Sequence, residues 1–489
     1  YGVKPLLFFR DEDKIMFASE IKALLAMGIS KSLDTSSLYH YFQLNYIPGE
    51  NSIFENVKKI KPGHYLIIKN DKIEERNYYS IPKGLAPETL NFKEAKENVF
   101  SLLTASVERR MISDVPLGSF LSGGVDSSIV AGIASGFNSK LKTFSIGFKD
   151  EPNYDETYYA NLAAEKFKTD HTVFSLTNND LLTYLTEILD YIDEPFADSS
   201  LIAGFILSKK TSQHVKVALS GDGADELFGG YNKHRAEFIA THQKLRSFIL
   251  KEGATVLKLL PQSRGSIIGN KIRQLIRFSE GAKLNRKDRY WLWCSLSSDS
   301  DVQKLLKVNL NKENIEKRKD EVLKAIDNNA NDLNEVFQAD MNMVLPDDML
   351  RKVDSMSMAN SLEVRNPFLD YELVNYVVQL PSSFKINKRE QKFILKEAFK
   401  DLLPSEILNR SKKGFEVPLL KWFKGELHDL IFKDLLEENF IENQGLFNFR
   451  EIKKLKDQLF SLNPGDAPAR IWALIVFQYW WKKHMSKHS

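Results

Sequence analysis

Alternation of strands and helices over residues 91–223 constrains the fold of this chain more than any other sequence feature. Four short apolar runs, LGSFLS, KTFSIGF, HTVFSL and VKVALSGDG, are separated by segments with a helical pattern. Strands that alternate with helices of about ten or more residues form a parallel sheet whose two faces are both covered. We therefore predict an α/β fold, with a parallel sheet and helices on both faces.

The composition argues against several classes of protein. The 489 residues include 68 basic and 65 acidic side chains, whereas a dedicated nucleic-acid binder usually has a strong basic excess. The single cysteine, Cys294, allows neither an internal disulfide nor a cysteine metal cluster. No run approaches the ~18 apolar residues of a membrane span, and IWALIVFQYWW is better explained as a buried helix. We expect a cytoplasmic protein without nucleic-acid or membrane partners.

The first eighty residues differ in pattern from the rest. They contain two predicted hairpins and one short helix, which is too little sheet to close a core alone. We expect residues 1–80 to be part of one domain and residues 81–94, rich in Pro, Gly and polar side chains, to be a linker. Residues 95–489 would form the second domain, with a helical, charge-rich insertion at 236–340.

The segment SFLSGGVDSSIVAGIAS (119–135) places glycine and serine between two apolar runs. Gly123 and Gly124 end a predicted strand and begin a helix, so backbone N–H groups and the positive end of the helix dipole can bind a phosphate. The loop lacks the Gly-Lys-Ser/Thr of a Walker A loop and the Gly-x-Gly-x-x-Gly of a dinucleotide site. The alternative is a helix that Ser122 or Asp126 merely caps.

The carboxylate of Asp126 adds a requirement to this loop. A carboxylate inside an anion-binding turn repels phosphate unless a divalent cation lies between the two. The loop therefore predicts Mg²⁺ together with its phosphate ligand.

At this point the sequence resembles a known family. SGGVDSS resembles the pyrophosphate loop (PP-loop) of the ATP pyrophosphatases, and LSGDGADELFGGY (219–231) narrows the resemblance to the glutamine-dependent asparagine synthetases and their close relatives. Further strings follow in family order: TFSIGF, YDETYYA, DEPFADSS, KVDSMSMANSLEVRNPFLD, KFILKEAF and KKGFEVPLLKWF. The opening YGVKPLLFF, with FASEIKALL, looks like the last part of the family's N-terminal glutaminase domain.

This resemblance implies a fold and a reaction. The main domain would be adenine-nucleotide alpha hydrolase-like, preceded by the remnant of an α+β glutaminase domain of the Ntn type. ATP and aspartate would give β-aspartyl-AMP and pyrophosphate, and ammonia would then give asparagine and AMP. Aspartate, ATP and either ammonia or glutamine would be the substrates, and a homodimer is possible.

The resemblance also assigns roles to residues. The pyrophosphate would be cradled by Ser122, Gly123, Gly124, Ser127 and Ser128. The rest of ATP would be bound by Ser220 and Gly221, with the adenine near Phe120, Leu121 and Ile146. The Mg²⁺ ligands would be Asp126 and Asp225, on loops at the carboxyl ends of strands. The catalytic residues would be Lys392, Asp222 and Glu226, supported by Asp354, Glu363 and Arg365.

Two of these residues carry most of the expected chemistry. The Lys392 ammonium could neutralise the charge that develops on the α-phosphate and pyrophosphate. Asp222 stands where many asparagine synthetases have Glu, and a carboxylate there is implicated in handling the acyl-adenylate and ammonia. The shorter side chain retreats by one methylene, which leaves the identity of the substrate open.

The chain departs from the family at its first residue. The glutaminase domain should begin with a nucleophilic Cys whose own amine is the base, but Tyr1 is not Cys and Cys294 lies in the predicted insertion. We therefore expect no glutaminase activity from this chain alone. Three explanations for the missing Cys are open: a truncated chain, an incompletely represented N-terminus, and a synthetase fed by free ammonia. We favour truncation.

Three other functions remain open from the sequence. A related adenylating amidotransferase would act on another carboxylate, such as a sugar acid or a β-lactam precursor. A tRNA-thiolating pyrophosphatase would need a catalytic Cys or a basic RNA platform, for which Cys294 and a net charge of +3 are weak support. A non-catalytic scaffold would be expected to lose site carboxylates, yet Asp126, Asp225 and Glu226 are present.

Overall fold

The N-terminal part combines short antiparallel strands with two helices. The computed structural model describes residues 1–70, 72–83, 90–150, 155–243, 245, 247–248, 250, 260, 262, 267–410 and 417–486. Its first elements are β1 (Leu7–Arg10), β2 (Ile15–Ala18), α1 (Ile21–Ala26), α2 (Thr35–Leu44), β3 (Val57–Lys59), β4 (His64–Lys69) and β5 (Lys72–Asn77). A three-stranded antiparallel sheet has the order β2-β1-β3, and β4 and β5 pair as a hairpin.

The remaining elements are mostly helical. Up to residue 228 they are α3 (Phe92–Met111), β6 (Leu117–Phe120), α4 (Val125–Phe137), β7 (Lys142–Phe148), α5 (Thr157–Phe167), β8 (Asp170–Leu176), α6 (Asn178–Thr183), α7 (Leu185–Tyr191), α8 (Leu201–Thr211), β9 (Val217–Leu219) and α9 (Ala224–Phe228). To residue 365 they are α10 (Asn232–His242), α11 (Ile267–Gly281), α12 (Arg286–Cys294), α13 (Asp299–Leu305), α14 (Lys312–Val322), α15 (Asn334–Asn342), a π-helical segment (Leu345–Leu350), α16 (Arg351–Met358) and β10 (Glu363–Arg365). The last are α17 (Tyr371–Gln379), α18 (Ser382–Lys385), α19 (Phe393–Ala398), α20 (Ser405–Asn409), α21 (Leu419–Lys424), a second π-helical segment (Leu430–Asp434), α22 (Glu438–Gln444), α23 (Phe449–Phe460) and α24 (Ala467–His484).

A five-stranded parallel sheet organises the main part of the chain. Its order is β10-β9-β6-β7-β8. Helices α3, α4 and α5 share one apolar cluster, whereas buried residues of α8 belong to another. The α/β prediction is confirmed, and the run KTFSIGF coincides with β7. The edge strand β10 was not predicted, because three residues give no recognisable alternation.

The N-terminal residues share a core with the C-terminal helix. The Asp34 side chain accepts hydrogen bonds from the N–H groups of Ser36 and Ser37 and so caps α2. From α2, the Tyr41 hydroxyl donates to the carbonyl of Ala473 at 2.8 Å. Helix α2 therefore packs against α24, and buried residues of both helices belong to the same apolar cluster as Leu7, Phe9 and Val57 of the small sheet. The boundaries at residues 80, 94, 236 and 340 stay predictions.

Helix α24 carries the apolar run IWALIVFQYWW, and the prediction of a buried helix is confirmed. Its fully buried Gln478 exchanges two amide hydrogen bonds with Gln444, at 2.8 and 2.9 Å, which satisfies its polar atoms. Among the described residues, no helix combines the length and apolar character needed to cross a membrane.

A buried lysine in α18 gives the first testable prediction. Lys385 is 1% exposed, its Nζ donates to Asn334 Oδ1 at 2.8 Å, and burial lowers its pKa to about 7, against a weaker opposing effect of Asp332. Above pH 7 the unfolded chain therefore keeps a proton that the folded chain has lost, so the free energy of unfolding contributed by this residue rises from pH 7 towards 10. We expect Lys385→Met to be more stable than the wild type at pH 6, by a margin that shrinks at pH 9.

Urea unfolding of both proteins at pH 6, 7.5 and 9 measures this margin. The difference between the two proteins isolates the one lysine from every other group that titrates in the same range. A margin that stays constant with pH would show that Lys385 is charged throughout.

Candidate active site

The loop between β6 and α4 is held tightly against α5. Gly123 has a φ of +70°, and a Cβ added there would lie 2.5 Å from backbone atoms of Tyr159 and Ala160. Both the backbone conformation and the close approach therefore require glycine. Gly124 occupies the N-cap of α4, with no side chain capping the helix. The first N–H groups of α4 thus border a loop without bulk, as the sequence predicts for a phosphate site.

Serine hydroxyls line this loop. The Ser122 and Ser127 Oγ atoms are 3.0 Å apart, and the Gly124 N–H donates to Ser122 Oγ at 3.3 Å. These contacts are long, so an anion with stronger acceptor atoms can replace them. Ser128 is fully buried, and its hydroxyl has no hydrogen-bond partner among the described residues.

A second loop, after β9, touches the first. A Cβ added to Gly221 would lie 2.9 Å from both Asp126 Cβ and Ser127 N, so only glycine lets the two loops meet. Ser220 Oγ donates to Asp222 Oδ2 at 2.5 Å. Burial raises the pKa of Asp222, and this hydrogen bond opposes the rise. The structure thus brings Ser220, Gly221 and Asp222 beside the phosphate loop.

Lys392 joins the two loops through their carboxylates. Its Nζ lies 2.7 and 2.5 Å from the two carboxylate oxygens of Asp126 and 2.6 Å from Asp225 Oδ1. The lysine is 7% exposed, and its φ of +55° is uncommon for a residue with a side chain. Burial alone would lower its pKa, but the two carboxylates outweigh burial and hold the pKa above its ordinary value. The ammonium is therefore fully charged at neutral pH.

The carboxylates of Asp126 and Asp225 fit a magnesium ion of the predicted kind. Both contact one cation, the Lys392 ammonium, so their oxygens converge on a shared position. The described residues contain no group of three or more His, Cys, Asp or Glu that could hold a metal without help. Mg²⁺ at nucleotide sites typically takes one or two carboxylates and completes its shell with phosphate oxygens and water. The pair fits that role only together with bound phosphates.

Glu226 is a buried carboxyl next to this cluster. It is 1% exposed and accepts a hydrogen bond from the Tyr231 hydroxyl at 2.6 Å. Burial, reinforced by the charge of Asp225, raises its pKa to about 7. A carboxyl with such a pKa can both hold and accept a proton at neutral pH.

Two family models together match most of the chain. A family model described as asparagine synthase matches residues 98–482, and one described as a glutamine amidotransferase domain matches residues 1–79. The chain belongs to the asparagine synthase family. The resemblance predicted from the sequence is confirmed, as is the enzyme class of carbon–nitrogen ligase at the level of the family.

Relatives of this asparagine synthase family member match most or all of the chain. It is 29% identical over 494 residues to glutamine-hydrolysing asparagine synthetase 1 of Bacillus subtilis, covering 100% of this chain and 75% of the relative. Identity to asparagine synthetase 3 of the same organism is 28% over 435 residues, which cover 85% and 63% of the two chains. A protein named amidase chry2 from Gibberella zeae is 27% identical over 525 residues, covering 98% and 75%.

The residues predicted to bind adenine belong to, or pack against, three different apolar clusters. Leu121 and Ile146 are buried in different apolar clusters, and Phe120 packs against a third. Leu121 donates its N–H to the Phe144 carbonyl at 2.8 Å. These positions lie at or near the carboxyl ends of β6 and β7, but their contact with adenine stays a prediction.

The three residues predicted to support the site have other partners. Asp354 pairs with Lys4 at 2.5 Å, and Arg365 pairs with Glu363 at 2.7 Å. Only the backbone of Arg365 touches the site, where its carbonyl accepts the Ser220 N–H at 2.9 Å. Their role beside Lys392 therefore gains no support from these contacts.

A cavity of about 1300 Å³ borders the site at Tyr231. Its wall also contains Asp198, Asp348, Lys233 and Cys294, and among its described lining there is none of the predicted ATP-binding residues. Burial raises the pKa of Cys294, although Lys233 Nζ lies 3.3 Å from its sulfur. This cysteine is therefore mainly the protonated thiol at neutral pH. Because the cavity reaches Tyr231, which binds Glu226, it is a candidate site for the carboxylic acid substrate.

Sequence reasoning missed a buried charge network beside Asp222. Lys352 Nζ binds Asp198 Oδ2 at 2.6 Å, and its charge also acts on Asp348 and Asp222. Burial, and then Asp198, raises the pKa of Asp348 well above the usual range. The signal was available, because Lys352 and Asp198 lie in two of the strings that carry the family resemblance, DEPFADSS and KVDSMSMANSLEVRNPFLD.

Proposed function

We propose that this chain synthesises asparagine by ATP-dependent amidation of aspartate. The β-carboxylate attacks the α-phosphorus of ATP to give β-aspartyl-AMP and pyrophosphate, and ammonia then displaces AMP from the acyl carbon. Glutamine is the proposed source of that ammonia, although we do not expect residues 1–489 alone to hydrolyse it. The observation that carries the proposal is the contact of Lys392 with Asp126 and Asp225, beside a glycine loop that leads into α4.

The pyrophosphate leaving group is the proposed ligand of the loop. Ser122, Gly123, Gly124, Ser127 and Ser128 would surround it with N–H and hydroxyl donors. Asp126 and Asp225 would hold Mg²⁺, which supplies positive charge to the phosphate oxygens when bound. Lys392 adds a second positive charge against the charge that grows on the departing oxygens. Its contacts with Asp126 and Asp225 keep the ammonium charged and in place.

The second half-reaction needs a group that accepts a proton. When ammonia forms the new C–N bond, the C–O bond to AMP breaks and the nitrogen must lose a proton. Glu226, with a pKa of about 7, is a suitable acceptor, and the Tyr231 hydroxyl fixes its orientation. Asp222 would face the acyl group from the second loop. The shorter Asp at this position leaves the length of the acyl chain open.

A second candidate is an adenylating amidotransferase that acts on a larger carboxylate. The 1300 Å³ cavity beside Tyr231 exceeds what aspartate would fill, since drug-sized ligands occupy about 300–1,000 Å³. The likeness to a relative named an amidase means that the relatives of this chain do not share one named activity, which leaves the substrate open. The tRNA-thiolating alternative gains no support, because Cys294 has a raised pKa and the chain lacks a basic excess.

Release of pyrophosphate tests the proposal. The purified chain would be given MgATP, ammonium chloride and one acid at a time: aspartate, glutamate, a sugar acid, or a β-amino acid precursor of a β-lactam. Aspartate-dependent release of pyrophosphate and AMP, with asparagine formed in equal amount, is the expected result. Release with another acid but silence with aspartate would favour the second candidate. Cytoplasmic location and a homodimer stay predictions.

A further inference from the structure

A buried arginine lies behind the phosphate loop. Arg410, directly after α20, donates from Nη1 to the carbonyl oxygen of Gly123 at 2.8 Å. Its guanidinium also pairs with Glu156 at the start of α5 and lies 4.3 Å from the ring centroid of Tyr159. The arginine side chain is only 8% exposed. It therefore ties together three elements that are far apart in the sequence.

The contact with the Gly123 carbonyl fixes a peptide plane. The carbonyl of Gly123 and the N–H of Gly124 belong to one trans peptide, and in a trans peptide these two groups point in opposite directions. Since Arg410 holds the carbonyl on one side, the Gly124 N–H must face the other side. There its acceptor is the Ser122 hydroxyl at 3.3 Å, a long contact that a phosphate oxygen can displace.

This peptide needs an external contact to hold it. It joins two glycines, and glycine permits many backbone conformations. Tyr159 and Ala160 crowd Gly123 and restrict its position. The orientation of the peptide plane is then determined by the hydrogen bonds of its carbonyl and N–H groups. If the plane rotated, the carbonyl oxygen would face the phosphates in place of an N–H, and its partial negative charge would repel them.

We infer that Arg410 is a positioning residue for the phosphate loop, holding the Gly123 carbonyl back so that the Gly124 N–H faces the pyrophosphate part of ATP. The inference rests on the proposed function, because it takes this loop to be the pyrophosphate site. Arg410 itself contacts no substrate in this arrangement. It acts through the orientation of one donor, and Glu156 and Tyr159 keep its guanidinium in place.

Binding of magnesium pyrophosphate to the resting enzyme tests the inference without any turnover. Arg410→Met keeps much of the apolar stem and removes every donor. Loss of one charge-assisted hydrogen bond and of the donor that it orients should weaken binding by about tenfold to a hundredfold. The dissociation constant for magnesium pyrophosphate and the KM for ATP should rise together, while the KM for aspartate stays within about twofold of the wild type, a range well below one tenfold step in affinity.

Three further variants separate positioning from general damage to the fold. Arg410→Lys, which keeps one charged donor, should recover part of the affinity. Glu156→Gln, which leaves the bond to Gly123 in place, should cost less than Arg410→Met. Arg109→Met is the matched control, since this partly exposed arginine pairs with Asp370 and Glu372, and it should bind magnesium pyrophosphate normally.

Two results would overturn the inference. One is unchanged pyrophosphate affinity in Arg410→Met and Arg410→Lys. The other is an equal rise in the KM values for ATP and aspartate, which would indicate a general loss of structure. If the wild type binds magnesium pyrophosphate but releases none with any acid, the proposed function fails while the role of Arg410 can still be measured.

Discussion

Lys392→Met is expected to lower kcat for aspartate-dependent pyrophosphate release by about 10²–10³, the range seen when one preorganised electrostatic group is removed from a transition state. The lysine ammonium contacts the carboxylates of both Asp126 and Asp225. Methionine has a similar length and no charge, so the variant removes the ammonium with little change in packing. Steady-state release of pyrophosphate at saturating ATP and aspartate measures the effect.

A neighbouring lysine provides the control for this variant. Lys396 lies in α19, the helix whose N-cap is Lys392, and pairs with Glu390 at 3.3 Å. Lys396→Met should therefore keep kcat near the wild-type value. If Lys392→Met turned over at the wild-type rate, or if both variants lost activity equally, the ammonium of Lys392 would have no special part in the reaction.

Gly230→Ala is expected to lower activity by displacing Asp225 and Lys392. An added Cβ would lie 1.8 Å from Asp225 Oδ1 and 2.1 Å from Lys392 Cε, far inside van der Waals contact. Both groups must move, and a displacement of about 1 Å at a reacting centre can cost about 10²-fold in rate. We expect kcat to fall by about that factor, measured by the same assay, with the change in unfolding midpoint recorded by urea titration.

Another glycine shows whether the added methyl group is harmful in itself. Gly136, in α4, has no atom within 4 Å of the position of its missing Cβ. Gly136→Ala should keep full activity and gain about 0.5–1 kcal/mol of stability, because alanine favours the helix. If Gly230→Ala kept wild-type activity, the close packing of Asp225 and Lys392 against Gly230 would be contradicted.

The parts of the fold that could be predicted are those with local signals. The strands β6 to β9 are apolar runs flanked by helical patterns, and the glycines of the two loops are required by a positive φ or a close approach. The phosphate loop could therefore be placed from residues 119–135 alone. The pairing of Asp126 with Asp225 could not be predicted in this way, since Asp225 lies about one hundred residues further along the chain. Only the family resemblance indicates that these two carboxylates lie close together.

The remaining contacts depend on pairs that no local pattern contains. Lys392 reaches Asp126 across 266 positions, and Arg410 reaches Gly123 across 287. In the sequence each is a charged residue like many on a protein surface. The same holds for the packing of α2 on α24 and for Lys352 beside Asp198, where burial and long-range topology, not spacing, create the interaction.

Transfer of an isotope label tests the proposed reaction most directly. Aspartate carrying ¹⁸O in its β-carboxylate would be turned over with MgATP and ammonium chloride, and the products analysed by mass spectrometry. Formation of an acyl-adenylate at the Lys392 site predicts one ¹⁸O atom in each AMP and none in pyrophosphate. Label in inorganic phosphate, with ADP as the other product, would show an acyl phosphate and contradict the account.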